Sequence, residues 1–129
     1  MLRRTILALA IAAAACLPTL AQAQQLIGSY VALLSERDHF NSNGQRLESA
    51  AAIIRQDRAN FHRFGIRDPE DQDDPFFSDE ANRAALEQML ERGHADPGVV
   101  ARIVNGVALI KVDIYRDTGG VFIRVMVLR

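Results

Sequence analysis

The sequence predicts an α+β fold: a small single domain in which a short antiparallel sheet packs against two or three helices. Three observations predict it. Apolar and polar residues alternate in one segment near residue 30 and in two segments near the carboxyl end, a period typical of strands. A long stretch between them carries apolar residues at helical spacing. The two carboxyl-terminal strands are joined by the hairpin turn Asp117-Thr118-Gly119-Gly120.

The first predicted element is a strand from Ser29 to Ser35. Its length and its β-branched and aromatic content favour a strand, with Tyr30, Ala32 and Leu34 on one side. The polar stretch 36–45 that follows contains the turn signal Asn43-Gly44. Because an isolated hairpin is only marginally stable in water, we expect this strand to join the carboxyl-terminal hairpin in one sheet.

A long amphipathic helix is predicted from Leu47 to Phe64, with Gly65 ending it. At about 100° per residue, six apolar side chains fall on one arc. They are Leu47, Ala50, Ile53, Ile54, Phe61 and Phe64. We expect this helix to pack across the sheet.

Asp57 projects from the middle of that apolar arc. An ionised carboxylate in such a position is very costly unless it is paired or hydrogen-bonded. We therefore favour a structural anchor, which either accepts hydrogen bonds from the amides of loop 38–44 or pairs with an arginine. The arginines within reach are Arg46, Arg58 and Arg67. The alternative is a catalytic acid or base in a cleft, assembled from Asp57, His39 and Asp38.

The segment Asp68–Glu80 contains seven acidic residues and no basic one. Pro69 and Pro75 interrupt any helix, so we expect a loop. Carboxylate oxygens are the ligands that calcium prefers. The candidate metal ligands are Asp68, Glu70, Asp71, Asp73 and Asp74. Their spacing matches no known ligand pattern, and we favour a solvated acidic loop.

Two further helices and two strands complete the predicted domain. One helix follows a cap at Ser78 and runs to Arg92, with Gly93 as its end and with Ala81, Ala85, Leu86, Met89 and Leu90 facing inward. A shorter helix begins at Asp96-Pro97 and runs to Val104. The strands are Val107–Arg116 and Val121–Leu128.

Residues 1–23 have the three parts of a secretory signal peptide: a basic start, an apolar run and the cleavage site Ala21-Gln22-Ala23. We expect cleavage after Ala23, with residues 24–129 as a single exported domain in the periplasm or outside the cell. Lipid attachment at Cys16 is an alternative that we disfavour, since Ala13 stands where such sites prefer leucine. Arg3-Arg4 leaves the twin-arginine route open beside the general one.

Cleavage changes the charge and the chemistry of the domain. It removes two of the 15 basic residues and none of the 16 acidic ones, so the formal net charge goes from −1 to −3. A mildly acidic domain disfavours nucleic-acid binding, which needs clustered basic charge. The sole cysteine leaves with the leader, which excludes thiol chemistry, and no later apolar run is long enough for a transmembrane anchor.

No cofactor motif and no catalytic spacing stands out in the exported domain. We therefore favour a non-enzymatic exported domain that binds an envelope protein or a small ligand. One alternative is a small hydrolytic or metal-assisted enzyme that uses Asp57 with His39. The other is an envelope protein stabilised by calcium through segment 68–80.

Overall fold

In the computed structural model, which describes residues 15–16 and 23–129, one three-stranded antiparallel sheet packs against helices on one face. The predicted α+β class is confirmed. The described residues form four α-helices rather than two or three, because one predicted helix is divided.

The sheet consists of β1 (Gln25–Leu34), β2 (Ala108–Asp117) and β3 (Gly120–Val127), in the order β1-β2-β3. The expected joining of the N-terminal strand to the hairpin is therefore confirmed. β1 begins four residues before the predicted start at Ser29, because its pairing with β2 continues across a register irregularity between Leu26 and Gly28. The hairpin turn lies at Thr118-Gly119, where the pair Asp117–Gly120 closes the ladder.

The inner face of the sheet follows the predicted two-residue alternation. Its fully buried members are Tyr30, Ala32, Leu34, Ala108, Ile110, Val112, Ile114 and Ile123. These side chains form one core with buried residues of the helices, among them Ile53, Ile54, Leu86 and Ile103.

Helix α1 (Ala50–His62) is shorter than predicted at both ends. Ser49 caps it by accepting a hydrogen bond from the Ala52 amide at 3.1 Å. Beyond His62 the chain leaves the helical course and turns at Gly65, whose φ is +65°. The predicted place of Phe64 on the buried arc is therefore wrong: its side chain is 48% exposed.

The helix predicted up to Arg92 is divided at Ala85 into α2 (Glu80–Ala84) and α3 (Leu86–Arg92). Asp79, not Ser78, is the cap, and it accepts hydrogen bonds from the amides of Ala81 and Asn82. Ala81 is exposed rather than inward-facing. The buried residue of α2 is instead Arg83, which donates to two carbonyl oxygens, those of Phe77 and Ser78.

Helix α4 (Pro97–Asn105) matches its prediction within one residue. Asp96 caps it by accepting from the Gly98 amide at 2.7 Å. Pro97 occupies the first helical position, where its missing N–H costs nothing.

The acidic segment is largely loop, as predicted, with one short 3-10 turn at Phe76–Ser78. It also covers the outer edge of β1. Gln72 exchanges two hydrogen bonds with the backbone of Val31, at 2.8 and 3.0 Å, and Asp71 accepts from the Leu33 amide at 2.9 Å. An uncovered strand edge invites pairing with other chains, and this segment occupies the edge instead.

Apart from residues 15, 16 and 23, the predicted signal peptide lies outside the described residues. Cys16 is exposed and forms no disulfide. Within the described ranges, no helix combines the length and the apolar character needed to cross a membrane.

Candidate functional site

The most unusual interior feature is a buried charge cluster formed by Asp57, Arg58, His62 and Asp74. Arg58 has no exposed side-chain surface and contacts two carboxylates, Asp57 at 2.8 Å and Asp74 at 2.7 Å. The second oxygen of Asp74 accepts from the Phe77 amide at 2.6 Å, and its first lies 3.1 Å from Nε2 of His62. The cluster therefore ties α1 to the end of the acidic segment.

Arg58 also lies between two aromatic rings of the core. Its guanidinium carbon is 4.2 Å from the ring centre of Tyr30 and 4.5 Å from that of Phe61. The guanidinium thus has charged partners in its plane and π faces beside it. Nη2 of Arg58 and the hydroxyl of Tyr30 are buried without a hydrogen-bond partner among the described residues.

Of the two forms of anchor predicted for Asp57, the structure has the ion pair. Asp57 is buried, and the partner is Arg58, one of the three arginines proposed. The prediction that Asp57 holds loop 38–44 is wrong. Arg46 instead lies over the Phe40 ring and Arg67 over the Phe61 ring.

Asp38, not Asp57, organises the polar loop. One of its oxygens accepts from the amide and the hydroxyl of Ser35, and the other accepts from the Asn60 side chain. Asp38 is the third residue after Ser35, which places its carboxylate back over the start of the 3-10 turn Glu36–His39. A short side chain therefore joins the end of β1 to α1.

His39 is buried between two backbone carbonyl oxygens. Nδ1 lies 2.8 Å from the Ser35 oxygen and Nε2 lies 2.8 Å from the Ile103 oxygen. A neutral imidazole has one N–H and donates to one of these, whereas an imidazolium donates to both. Asp38, His39 and Asp57 are all buried, yet within residues 23–129 no hydrogen bond joins any two of them.

The five candidate metal ligands are used in different places. Asp71 accepts from the amides of Leu33 and Asp68, and Glu70 pairs with Arg129 at 3.2 Å. Asp74 belongs to the buried charge cluster, and Asp73 is exposed. Within the described ranges, no three histidine, cysteine or acidic side chains are grouped in a way that could hold a metal ion.

Burial raises the pKa of the Asp57 carboxyl from 3.8 to about 8, against the opposing effect of the Arg58 guanidinium. Burial raises the pKa of Asp38 as well, against the hydrogen bond from Asn60. For Arg58, burial lowers the pKa, but the charge of Asp57 and the hydrogen bond to Asp74 prevail and raise it, so the guanidinium stays charged. The cluster is therefore built around a permanent cation.

We predict that the protein loses stability as the pH rises from about 4 to about 8. In this range the folded state holds the Asp57 proton and the unfolded state releases it. The free energy of unfolding should therefore fall by up to about 1.4 kcal/mol per pH unit. Urea unfolding at several pH values measures the slope. Asp57→Asn should flatten it, whereas exposed Asp73→Asn should not, and equal slopes in all three proteins would contradict the assignment.

The outer face of the sheet is rich in apolar residues, of which Leu26, Met126 and Leu128 are exposed and Phe122 is buried. Four rows of three side chains cross it from β1 to β3. In order along the sheet they are Leu26, Tyr115 and Phe122; Ser29, Asp113 and Arg124; Val31, Lys111 and Met126; and Leu33, Leu109 and Leu128. Eight of these twelve are apolar or aromatic, whereas an open antiparallel sheet usually presents polar residues to water.

The end rows of this outer face are apolar, and the two middle rows carry its charges beside the exposed side chain of Met126. In the end rows, Leu26 is 54% exposed and Leu128 is 49% exposed, whereas Phe122 is buried. Tyr115 and Phe122 stack at 5.4 Å between ring centres, and the guanidinium of Arg124 lies over both rings. In the middle, Asp113 accepts from Ser29 at 2.7 Å and lies 3.5 Å from Lys111.

No family model, curated protein or solved structure matches this chain.

Sequence reasoning missed both Arg58 as a buried residue and the outer sheet face. The signal for Arg58 was its helical spacing, four residues after Ile54 and three before Phe61, which places it on the buried stripe. The signal for the outer face was the second set of apolar residues in β1, since Val31 and Leu33 alternate with the inward side chains.

A cleft between α1, α3 and α4 is a separate, concave feature of the described residues. Its volume is about 560 Å³, within the range of small-ligand pockets. Leu90, Val100 and Val104 contribute apolar walls, and its rim carries Glu48, Glu87 and Glu91. This combination favours a cationic ligand with an apolar body over an anionic one.

Proposed function

We propose that this protein is a non-enzymatic exported domain that binds another protein through the outer face of its sheet. The observation that carries the proposal is the apolar surface there, in particular the exposed side chains of Leu26, Met126 and Leu128. Exposed large apolar side chains on an otherwise ordered sheet face are typical of surfaces that another protein covers.

Export is the part of the proposal that rests on the sequence. The basic start, the apolar run and Ala21-Gln22-Ala23 support a cleaved leader and an address in the periplasm or beyond. A domain without cysteine then needs packing rather than disulfides, and the continuous core described above is in keeping with this.

The partners of the buried polar groups favour binding over catalysis. Asp57 faces Arg58, Asp38 faces Ser35 and Asn60, and His39 faces two carbonyl oxygens. A general acid or base needs a free lone pair or proton within reach of substrate. The bonded lone pairs and protons of these side chains face other groups of the protein.

The test is a binding experiment with one matched control. The full chain is expressed and exported, and the intact mass of the product reports whether cleavage follows Ala23. Immobilised wild type, Met126→Lys and Phe64→Lys are then incubated with envelope extract, and bound proteins are quantified by mass spectrometry. Met126 and Phe64 are equally exposed apolar side chains, but Phe64 is not on the sheet.

We expect Met126→Lys to reduce the bound partner by about tenfold or more, because a charge must be desolvated at the contact. Phe64→Lys should bind as wild type does. Equal capture by all three proteins, with unchanged circular dichroism, would remove the sheet face from the proposal.

A further inference from the structure

We propose that the partner of the outer sheet face is the same face of a second copy of this chain. This inference rests on the proposed function, since it assumes that the face is a binding surface. It goes further by naming the partner and the geometry: a twofold axis that crosses the strands between Lys111 and Asp113.

The order of the four rows makes the face complementary to itself. A twofold axis across the strands, between the second and third rows, reverses the row order in the facing copy. The row with Leu26, Tyr115 and Phe122 then meets the row with Leu33, Leu109 and Leu128. The exposed side chains of Leu26 and Leu128 gain apolar contacts there. The guanidinium of Arg124 lies over the rings of Tyr115 and Phe122, 5.2 and 5.5 Å from their centres, and is enclosed with them.

On the central strand, the same rotation brings unlike charges together, whereas on β3 it places Arg124 opposite the partner's Met126. Asp113 belongs to the second row and Lys111 to the third, and both lie on β2, the central strand. β2 therefore faces its own copy, with Asp113 opposite the partner's Lys111 and Lys111 opposite the partner's Asp113. Packed sheets lie about 10 Å apart, a gap that a lysine and an aspartate span together.

Two other face-to-face arrangements of two copies meet like charges, and both edges of the sheet are partly occupied. A twofold axis along β2 or through the row of Asp113 would place carboxylate against carboxylate. Edge-to-edge pairing at β1 is hindered by Asp71 and Gln72, which hydrogen-bond to Leu33 and Val31. At β3, Arg92 donates to the Val121 carbonyl. The face is thus the better surface for a second copy.

The test exchanges the two central charges. On the central strand of the face, Lys111→Asp leaves two acids and Asp113→Lys leaves two bases. Each variant alone should dissociate about tenfold or more readily than wild type, since like charges then face each other twice. An equimolar mixture of the two should form a heterodimer, and the double variant Lys111→Asp/Asp113→Lys should self-associate again.

Sedimentation velocity from micromolar to submillimolar concentration measures these states on the exported product of the full chain. Arg116→Asp is the control, because it reverses an exposed charge on the same strand but not on this face. It should associate as wild type does, and circular dichroism verifies that each variant is folded.

Three results would overturn self-association. They are a wild type that is monomeric throughout, single charge variants that associate as wild type does, and a mixture that forms no heterodimer. A monomeric wild type that still captures an envelope protein through Met126 would refute this inference and leave the proposed function standing. A monomeric wild type that also captures no envelope protein would refute both this inference and the proposed function.

Discussion

Arg58→Met is expected to lower the free energy of unfolding by about 3–5 kcal/mol. Methionine fills much of the volume between Tyr30 and Phe61 but removes the cation that Asp57 and Asp74 share. The carboxyl groups of Asp57 and Asp74 then lose their charged hydrogen-bond donor. The carbonyl oxygen of Gln72 also loses the hydrogen bond that Arg58 donates to it. Buried polar groups that lose their hydrogen-bond partner are among the costliest single changes in a protein interior.

Urea unfolding at neutral pH, followed by circular dichroism, measures this change. The matched control is Arg55→Met on the exposed side of α1, which should change stability by no more than about 0.5 kcal/mol. Adding Asp57→Leu to Arg58→Met should recover part of the loss, because it removes one of the stranded carboxyl groups. A midpoint for Arg58→Met equal to that of Arg55→Met would show that the buried charge cluster contributes nothing to the fold.

The fold was predictable because its main signals are local. Alternation in β2 and the turn Asp117–Gly120 define the hairpin, and helical spacing defines α1 without reference to any other segment. The division at Ala85 was not predictable in this way. The backbone of Ala85 has φ −87° and ψ 4°, yet residues 79–92 contain no glycine or proline that would indicate a break in the helix.

The candidate site was predictable only in part. The apolar surroundings of Asp57 showed that it must have a partner, and Arg58 was one of three arginines considered. The role of Asp74 was hidden, because its partners lie 12 and 16 residues away along the chain. Periodicity reports which face a residue occupies, whereas pairing between distant segments depends on how those faces meet.

The acidic segment shows how one composition can serve a different purpose from the one it suggests. Seven acidic residues within the thirteen residues 68–80 indicate a solvated loop or cation binding. In the folded chain, Asp71 accepts a hydrogen bond from the Leu33 amide and Asp74 accepts one from the Phe77 amide. Asp79 caps α2. The backbone N–H groups of an irregular segment have no partner within a helix or strand. The many carboxylates of this segment supply acceptors for such N–H groups.

Gly93, the residue that follows α3, lies against the backbone of β3, and Gly93→Ala is expected to destabilise the protein by about 3 kcal/mol. A β-carbon at this position would overlap the carbonyl oxygen of Ile123 and lie 2.9 Å from its carbonyl carbon. Both are backbone atoms of β3, so no side chain can move aside. Arg92, the preceding residue, binds the same strand at Val121 and pairs with Asp117 at 3.1 Å.

The backbone at Gly93 requires no glycine, because its φ of −75° is ordinary for any residue. The left-handed residue at this helix end is His94, with φ of 52°. Two other glycines separate the possible causes. Gly65→Ala has open space but a φ of +65°, and should cost about 1 kcal/mol, whereas Gly106→Ala has neither restriction and should be nearly neutral. A urea midpoint of Gly93→Ala equal to that of Gly106→Ala would show that the close contact with β3 does not matter for stability. A midpoint of Gly93→Ala well below those of Gly65→Ala and Gly106→Ala would show that steric overlap with β3 is the cause.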